Sequence, residues 1–245
     1  MWKKIAAGIA ILLIMVAAGG YYFLSNLNSI IRDAIGRYGS EATGTQVKAG
    51  NVSLSLTAGT GAISGLTVAN PPGYSMPYAL SLGHIAIALD TSSLAGKGPI
   101  IINSITIAQP QVSYELKGLS PVSNLGTIQA HLQNFAGNDA AAQPGAQGGM
   151  PARKEIIRSL TITGGQITAL APALASKPRT EPLPPLHFTN LGGPDGASPA
   201  QLGAQMLNIV LAKAVSAGAA SLIHQSGAGT LPVNATGILQ GLLGK

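Results

Sequence analysis

The sequence predicts a mainly β protein with flanking helices. An N-terminal transmembrane helix is followed by a curved antiparallel β-sheet of stacked hairpins, an open groove, capped or covered by a C-terminal amphipathic helix. Three observations carry this. An uncharged run from Ile5 to Leu24 follows Lys3 and Lys4. From Thr43 onward apolar residues alternate with period two, the mark of half-exposed antiparallel strands. From Pro199 the apolar spacing becomes three and four, the period of a helix.

Composition fits this class. Charged residues make up 9% of the 245 residues, against ~25% in ordinary soluble domains. The mean hydropathy is +0.34. Such a chain suits a β-rich protein at or near a membrane better than a cytosolic enzyme. There is no cysteine, which excludes a disulfide framework and thiolate chemistry. The net charge is +6, but the basic residues are scattered. The densest cluster, Arg153, Lys154 and Arg158, encloses Glu155 and is too thin for a nucleic-acid face. It reads as a solvated loop edge, so no nucleic-acid partner is expected.

The run Ile5–Leu24 is long enough to span ~30 Å, the thickness of a bilayer core. Tyr21 and Tyr22 near its far end and Trp2 near the other suit the two interfaces. Lys3 and Lys4 hold the N-terminus in the cytoplasm by the positive-inside rule, so the bulk lies across the membrane. A cleaved signal peptide, cut after the small residues Val16-Ala17-Ala18, is the competing reading. The apolar run continues past that point, which favours an uncleaved anchor. Residues 26–40 then form an amphipathic linker helix. Ile30, Ile31, Ala34, Ile35 and Tyr38 share one face, and Gly39 offers a stop.

The strands follow. VSLSL (52–56) aligns Val52, Leu54 and Leu56, and ISGLTVA (63–69) aligns Leu66 and Val68. ALSLGHIAIALD (79–90) aligns Leu80 with Leu82, then Ile85, Ile87 and Leu89 on the opposite parity. A bulge at Gly83-His84 would restore the facing. Between these strands, VANPPGYSMPYALSLGHI (68–85) reads as a wide connection, because its prolines cannot join a ladder. Its Tyr74 and Tyr78 are placed over the groove's edge or against a lipid headgroup. IINSITIAQPQVSY (101–114) resembles IIRSLTITGGQITA (156–169), and each copy reads as a hairpin turning at Gln-Pro or Gly-Gly. Residues 136–152 are turn-rich and read as a flexible loop. Residues 153–198 continue the sheet through a proline-rich extended segment with a strand at LHFTNL. Ser198-Pro199 then supplies an N-cap and N1 proline for a helix over 199–225, within a helical segment reaching 245. Lys213 argues against a second span.

No catalytic constellation stands out. His84, His131, His187 and His224 lack metal-ligand spacing, and there is no HExxH, GxSxG or phosphate loop. The expectation is a non-enzyme with no catalytic, cofactor or metal site.

The stretch from Ala42 to Leu116 carries five pieces in order. They are a Thr-Gly start, the strand VSLSL and the turn GLTVANPPG. The strand HIAIALDTSSL and the segment ITIAQPQVSYEL complete the set. With the preceding anchor, this resembles the N-terminal region of AsmA-like proteins of the Gram-negative envelope. The resemblance implies a single inner-membrane anchor and a periplasmic curved sheet over 41–135. It also implies a groove lined by apolar side chains and involvement in phospholipid transport or outer-membrane homeostasis. Val52, Leu54, Leu56, Leu66, Val68, Ile85, Ile87 and Leu89 are the expected groove-facing residues. The expected partner is phospholipid or the membrane surface. The alternative is an accessory subunit docked on an inner-membrane protein complex.

Overall fold

The computed structural model describes residues 26–117, 122–141, 153–171 and 175–199, and beyond these 201–203, 205–206, 209–210 and 213. The expected anchor, with Lys3, Lys4, Tyr21 and Tyr22, lies outside the described residues, as does everything after Lys213. Among the described residues no helix is long and apolar enough to cross a membrane.

Ten strand segments form one curled, open sheet. Their registers reduce the ten to six long strands laid side by side in chain order. The first is β1 (Val47–Lys48) and β2 (Asn51–Ser55), both antiparallel to β3 (Thr60–Ala69) in one continuous register. Next to β3 lies β4 (Tyr78–Leu89), joined to it across residues 70–77. The far side of β4 takes β5 (Ile100–Ala108) along one half and β6 (Gln111–Glu115) along the other. The register is again unbroken, so β5 and β6 are one strand interrupted at Gln109-Pro110. β7 (Glu155–Thr163) and β8 (Gly165–Ala171) form the next strand, parallel to β5 and β6. The last is β9 (Ala175–Leu183) and β10 (Leu186–Leu191), broken at Pro184-Pro185.

Two expectations are corrected here. The sheet is mixed rather than antiparallel throughout, and the similar segments 101–114 and 156–169 are not hairpins. Each is one bent strand, and the two pair with each other. Ile101 lies opposite Ile156, Ile105 opposite Leu160, Gln111 opposite Gln166 and Val112 opposite Ile167. The alignment of the repeat is therefore the register of the ladder. Parallel neighbours require a crossover. Helix α3 (Asn124–Ala141) lies within it, inside the region expected to be sheet and running into the expected flexible loop.

The interruptions fall at one level. Carried through the registers, Gly50, Gly65, Gly83, Gln109, Gly164 and Pro184 form a line across all six strands. Gly65, Gln109 and Gly164 have φ of 65°, 53° and 64°. At this line the inward parity changes. Ile63 and Leu66, Leu82 and Ile85, and Leu183 and Leu186 all belong to one apolar cluster. Since every strand carries the same extra residue, the register survives while the sheet folds along a crease. On one side of it Val52, Ile63, Ile85, Ile107, Ile162 and Leu186 form a row across the sheet. On the other, Val47, Val68, Leu80, Val112 and Ile167 do the same.

Helices cover the inner face and one edge. Helix α1 spans 26–43, three residues beyond the expected end. Gly39 does not stop it. A Cβ there would lie 3.0 Å from Val47 Cγ1, so this glycine permits close packing. The stop is Gly44, at φ 68°, whose N–H donates to Ser40 O at 3.0 Å. Side chains of α1 also meet the sheet edge. Ser40 Oγ accepts from Val47 N at 2.8 Å and Asn28 Oδ1 from Leu54 N at 2.9 Å. The short helix α2 (Thr91–Ala95) is capped by Asp90. The Arg153 guanidinium donates to its Ser93 and Leu94 carbonyls, so part of the expected solvated cluster ties two segments together. Ser198 and Gln201 form a capping box, with bonds of 3.0 and 3.2 Å, at the start of helical residues reaching 213.

Candidate functional site

An apolar cavity of about 400 Å³ lies over the crease. Leu66, Val68, Leu80, Leu82, Val112 and Ile162 belong to its floor on the sheet. Three helical segments roof it. Tyr38 and Ala42 come from α1, and Ile128, Leu132 and Phe135 from α3. Met206 and Val210 come from the helical residues after Pro199. Ile128, Leu132 and Phe135 recur at i, i+4 and i+7, so one stripe of α3 faces the sheet. Leu125 and Ile128 are fully buried at 0% exposure and anchor that stripe. Small residues, Gly39, Ala42 and Gly203, also border the cavity. Two helices and a further helical segment meeting a bent sheet, with small side chains at the junction, leave the space between the described residues unfilled.

The wall is nearly pure hydrocarbon. Among the described residues its side-chain polar groups are the hydroxyls of Tyr38 and Thr43, and Thr43 Oγ1 already donates to Gly39 O at 2.7 Å. Among the described residues no charged side chain lines it. An apolar cavity of this kind accepts apolar molecules. Among the described residues no three His, Asp or Glu side chains gather as a metal site would need.

The buried polar groups lie beside the cavity, not in it. Glu115 is 3% exposed, and its carboxylate accepts from Ser75 N and Ser75 Oγ at 2.7 Å and from Met76 N at 3.0 Å. Asn124, the first residue of α3, accepts from Glu115 N at 2.9 Å and donates to Ser113 O and Asn70 Oδ1. Asn70 Nδ2 in turn donates to Met76 O at 2.7 Å. This network pins the connection 70–77 to β6 and α3. Burial pushes the Tyr114 hydroxyl above the usual tyrosine range. Among the described residues the Tyr114 hydroxyl has no hydrogen-bond partner, and the nearby Ser123 hydroxyl accepts from Gly126 N. Burial also raises the Glu155 carboxyl above its ordinary value.

Among the expected groove residues, Leu66 and Val68 line the cavity. Val52 and Ile85 are buried in the row beyond the crease, with Leu54, Ile87 and Leu89 half-buried on that arm. Leu56 is exposed. Tyr74 in the 70–77 connection and Tyr78 at the start of β4 are not among the residues lining the cavity. The Tyr74 hydroxyl lies 3.3 Å from Thr127 Oγ1 at the start of α3, and Tyr78 is 47% exposed. The groove list drawn from the sequence missed the other lining residues, among them Leu80, Leu82, Val112 and Ile162 on the sheet and the stripe of α3, although TIQAHLQNF carries the helical spacing that would have shown the last.

Compared with family models, curated proteins and solved structures, the chain matches none of them.

Proposed function

We propose that this chain is a membrane-anchored periplasmic protein of the AsmA-like kind, non-catalytic, which binds or handles lipid in cell-envelope homeostasis. The observation that carries the reading is the cavity of about 400 Å³ between the concave sheet face and three helical segments. That volume lies within the ~300–1,000 Å³ of small-molecule sites. Its hydrocarbon wall suits an acyl chain, each methylene of which gains ~0.8 kcal/mol on leaving water. The creased sheet, with rows of aliphatic residues on its inner face, fits the groove that the resemblance implies. The test is to purify the full chain from bacterial membranes in mild detergent, exchange the detergent repeatedly, and analyse the extract by mass spectrometry. A lipid retained in fixed ratio to the chain is expected. Lipid no more abundant than on an unrelated single-pass protein treated alike would end the proposal.

A further inference from the structure

We infer that the cavity takes one hydrocarbon chain bearing an acidic head, and that Arg37 at its mouth receives that head. This rests on the lipid reading above and specifies the ligand. The chain count comes from volume. An apolar cavity of ~150 Å³ holds benzene, so by proportion about 400 Å³ holds roughly sixteen carbon atoms. That is one acyl chain, not the two of a phospholipid. The head stays outside, because among the described residues no charged side chain lines the wall and an unpaired buried ion is costly.

The position of the head follows from α1. Tyr38 borders the cavity yet is 53% exposed, so its ring stands between the interior and solvent. The Arg37 guanidinium lies 4.6 Å over that ring, and its Nη2 donates to Tyr38 Oη at 2.6 Å. A guanidinium has five N–H donors in a planar fork, so others remain for the two oxygens of a carboxylate or phosphate. Arg37 has no carboxylate partner among the described residues, whereas its neighbour Arg32 is paired with Asp33 at 3.7 Å. An apolar chamber with a stacked cation at its lip, without a carboxylate partner among the described residues, complements a single-chain amphiphile of negative charge. A fatty acid and a single-chain phosphate ester share this chemistry.

The test places the full chain in phosphatidylcholine vesicles with trace diazirine-bearing probes of about sixteen carbons. The probes are the carboxylic acid, the monoalkyl phosphate and the neutral alcohol, with a two-chain diazirine phosphatidylcholine as a fourth. After photolysis, adducts on Leu132, Phe135, Met206 and Val210 are counted by peptide mass spectrometry. An exposed charge pair is worth a modest factor, so acidic probes should label these residues about three to five times more than the alcohol at low salt. The preference should shrink at ~1 M salt. Arg37→Gln should bring it close to parity and Arg37→Lys should keep most of it, with alcohol labelling unchanged as the control for folding. Whichever acidic probe labels more strongly names the head. An acid preference untouched by Arg37→Gln would overturn the role of Arg37 while leaving the lipid reading standing. Equal labelling by the two-chain probe would overturn the one-chain assignment. If no probe reaches these residues, the lipid reading itself falls.

Discussion

Gly44 ends α1 in the left-handed region at φ 68°, and a Cβ there would sit 2.7 Å from the His131 ring of α3. Gly44→Ala therefore meets two costs. The backbone term alone is about 1–2 kcal/mol, and the contact with His131 adds to it. Urea denaturation should show a loss of at least that size, and His131→Ala in the same chain should restore the steric part only. A double mutant no more stable than Gly44→Ala would show that the ring yields without cost. At Glu155 the sign of the pH effect follows from burial, which raises the folded carboxyl above its ordinary value of 4.5. The carboxyl binds its proton more tightly in the folded chain. Its contribution to stability is thus fully present below the unfolded pKa and is lost as pH rises through the folded one. Glu155→Gln should melt higher than the parent at pH 7, by less than about 1 kcal/mol because the group keeps contact with solvent. The two should melt alike near pH 4. A gap that is the same at both pH values would assign the effect to something other than ionisation.

At the scale of elements, the crease decides what could be read in the sequence. The similarity of 101–114 to 156–169 was visible, and it turned out to be the register of two neighbouring parallel strands. Their centres, Gln109-Pro110 and Gly164-Gly165, look locally like turns because a left-handed residue and a change of parity mark both a turn and a crease. Only the partner strand distinguishes them, and that is a non-local fact. In β4 the change of facing at Gly83-His84 was legible, but the bulge expected there is not: the registers with β3 and β5 run unbroken through it and shift instead at Val68/Ala69 and Ala88/Leu89. The line of interruptions also yields a prediction. Gln109 is the non-glycine member that sits at positive φ, 53°, where the line's other positive-φ members, Gly65 and Gly164, have no Cβ to strain. Gln109→Gly should stabilise the chain by about 0.5–1 kcal/mol, the left-handed penalty less the added freedom of the unfolded chain. Gln109→Val should destabilise it, since a β-branched residue tolerates that region least. Both are measured by urea midpoint at constant slope. A destabilised glycine variant would mean that the Gln109 side chain, which a Cβ on Gly164 would approach to 3.5 Å, holds the crease by packing.

For the molecule as a whole, the alternation of Leu66, Val68, Leu80 and Leu82 foretold an apolar sheet face, but the cavity over it was not legible. Its existence depends on how two helices and the helical residues after Pro199, far apart in sequence, meet across the bend, and on small residues at their junction. Gly203 shows how closely empty space and ligand are linked. It borders the cavity, lies in a helical segment, and a Cβ there would meet nothing within 4 Å. Replacing a helical glycine by alanine gains about 1 kcal/mol without taking up much volume. Gly203→Ala should therefore raise the urea midpoint and keep its lipid. Gly203→Phe gains less helix propensity but places a ring into the cavity and gives the floor a partner. It should be at least as stable as the parent, with the co-purifying lipid reduced severalfold. If the phenylalanine and alanine variants retain lipid alike, the lipid is held elsewhere on the molecule, and the chamber over the crease is only a packing defect that the helices fail to close.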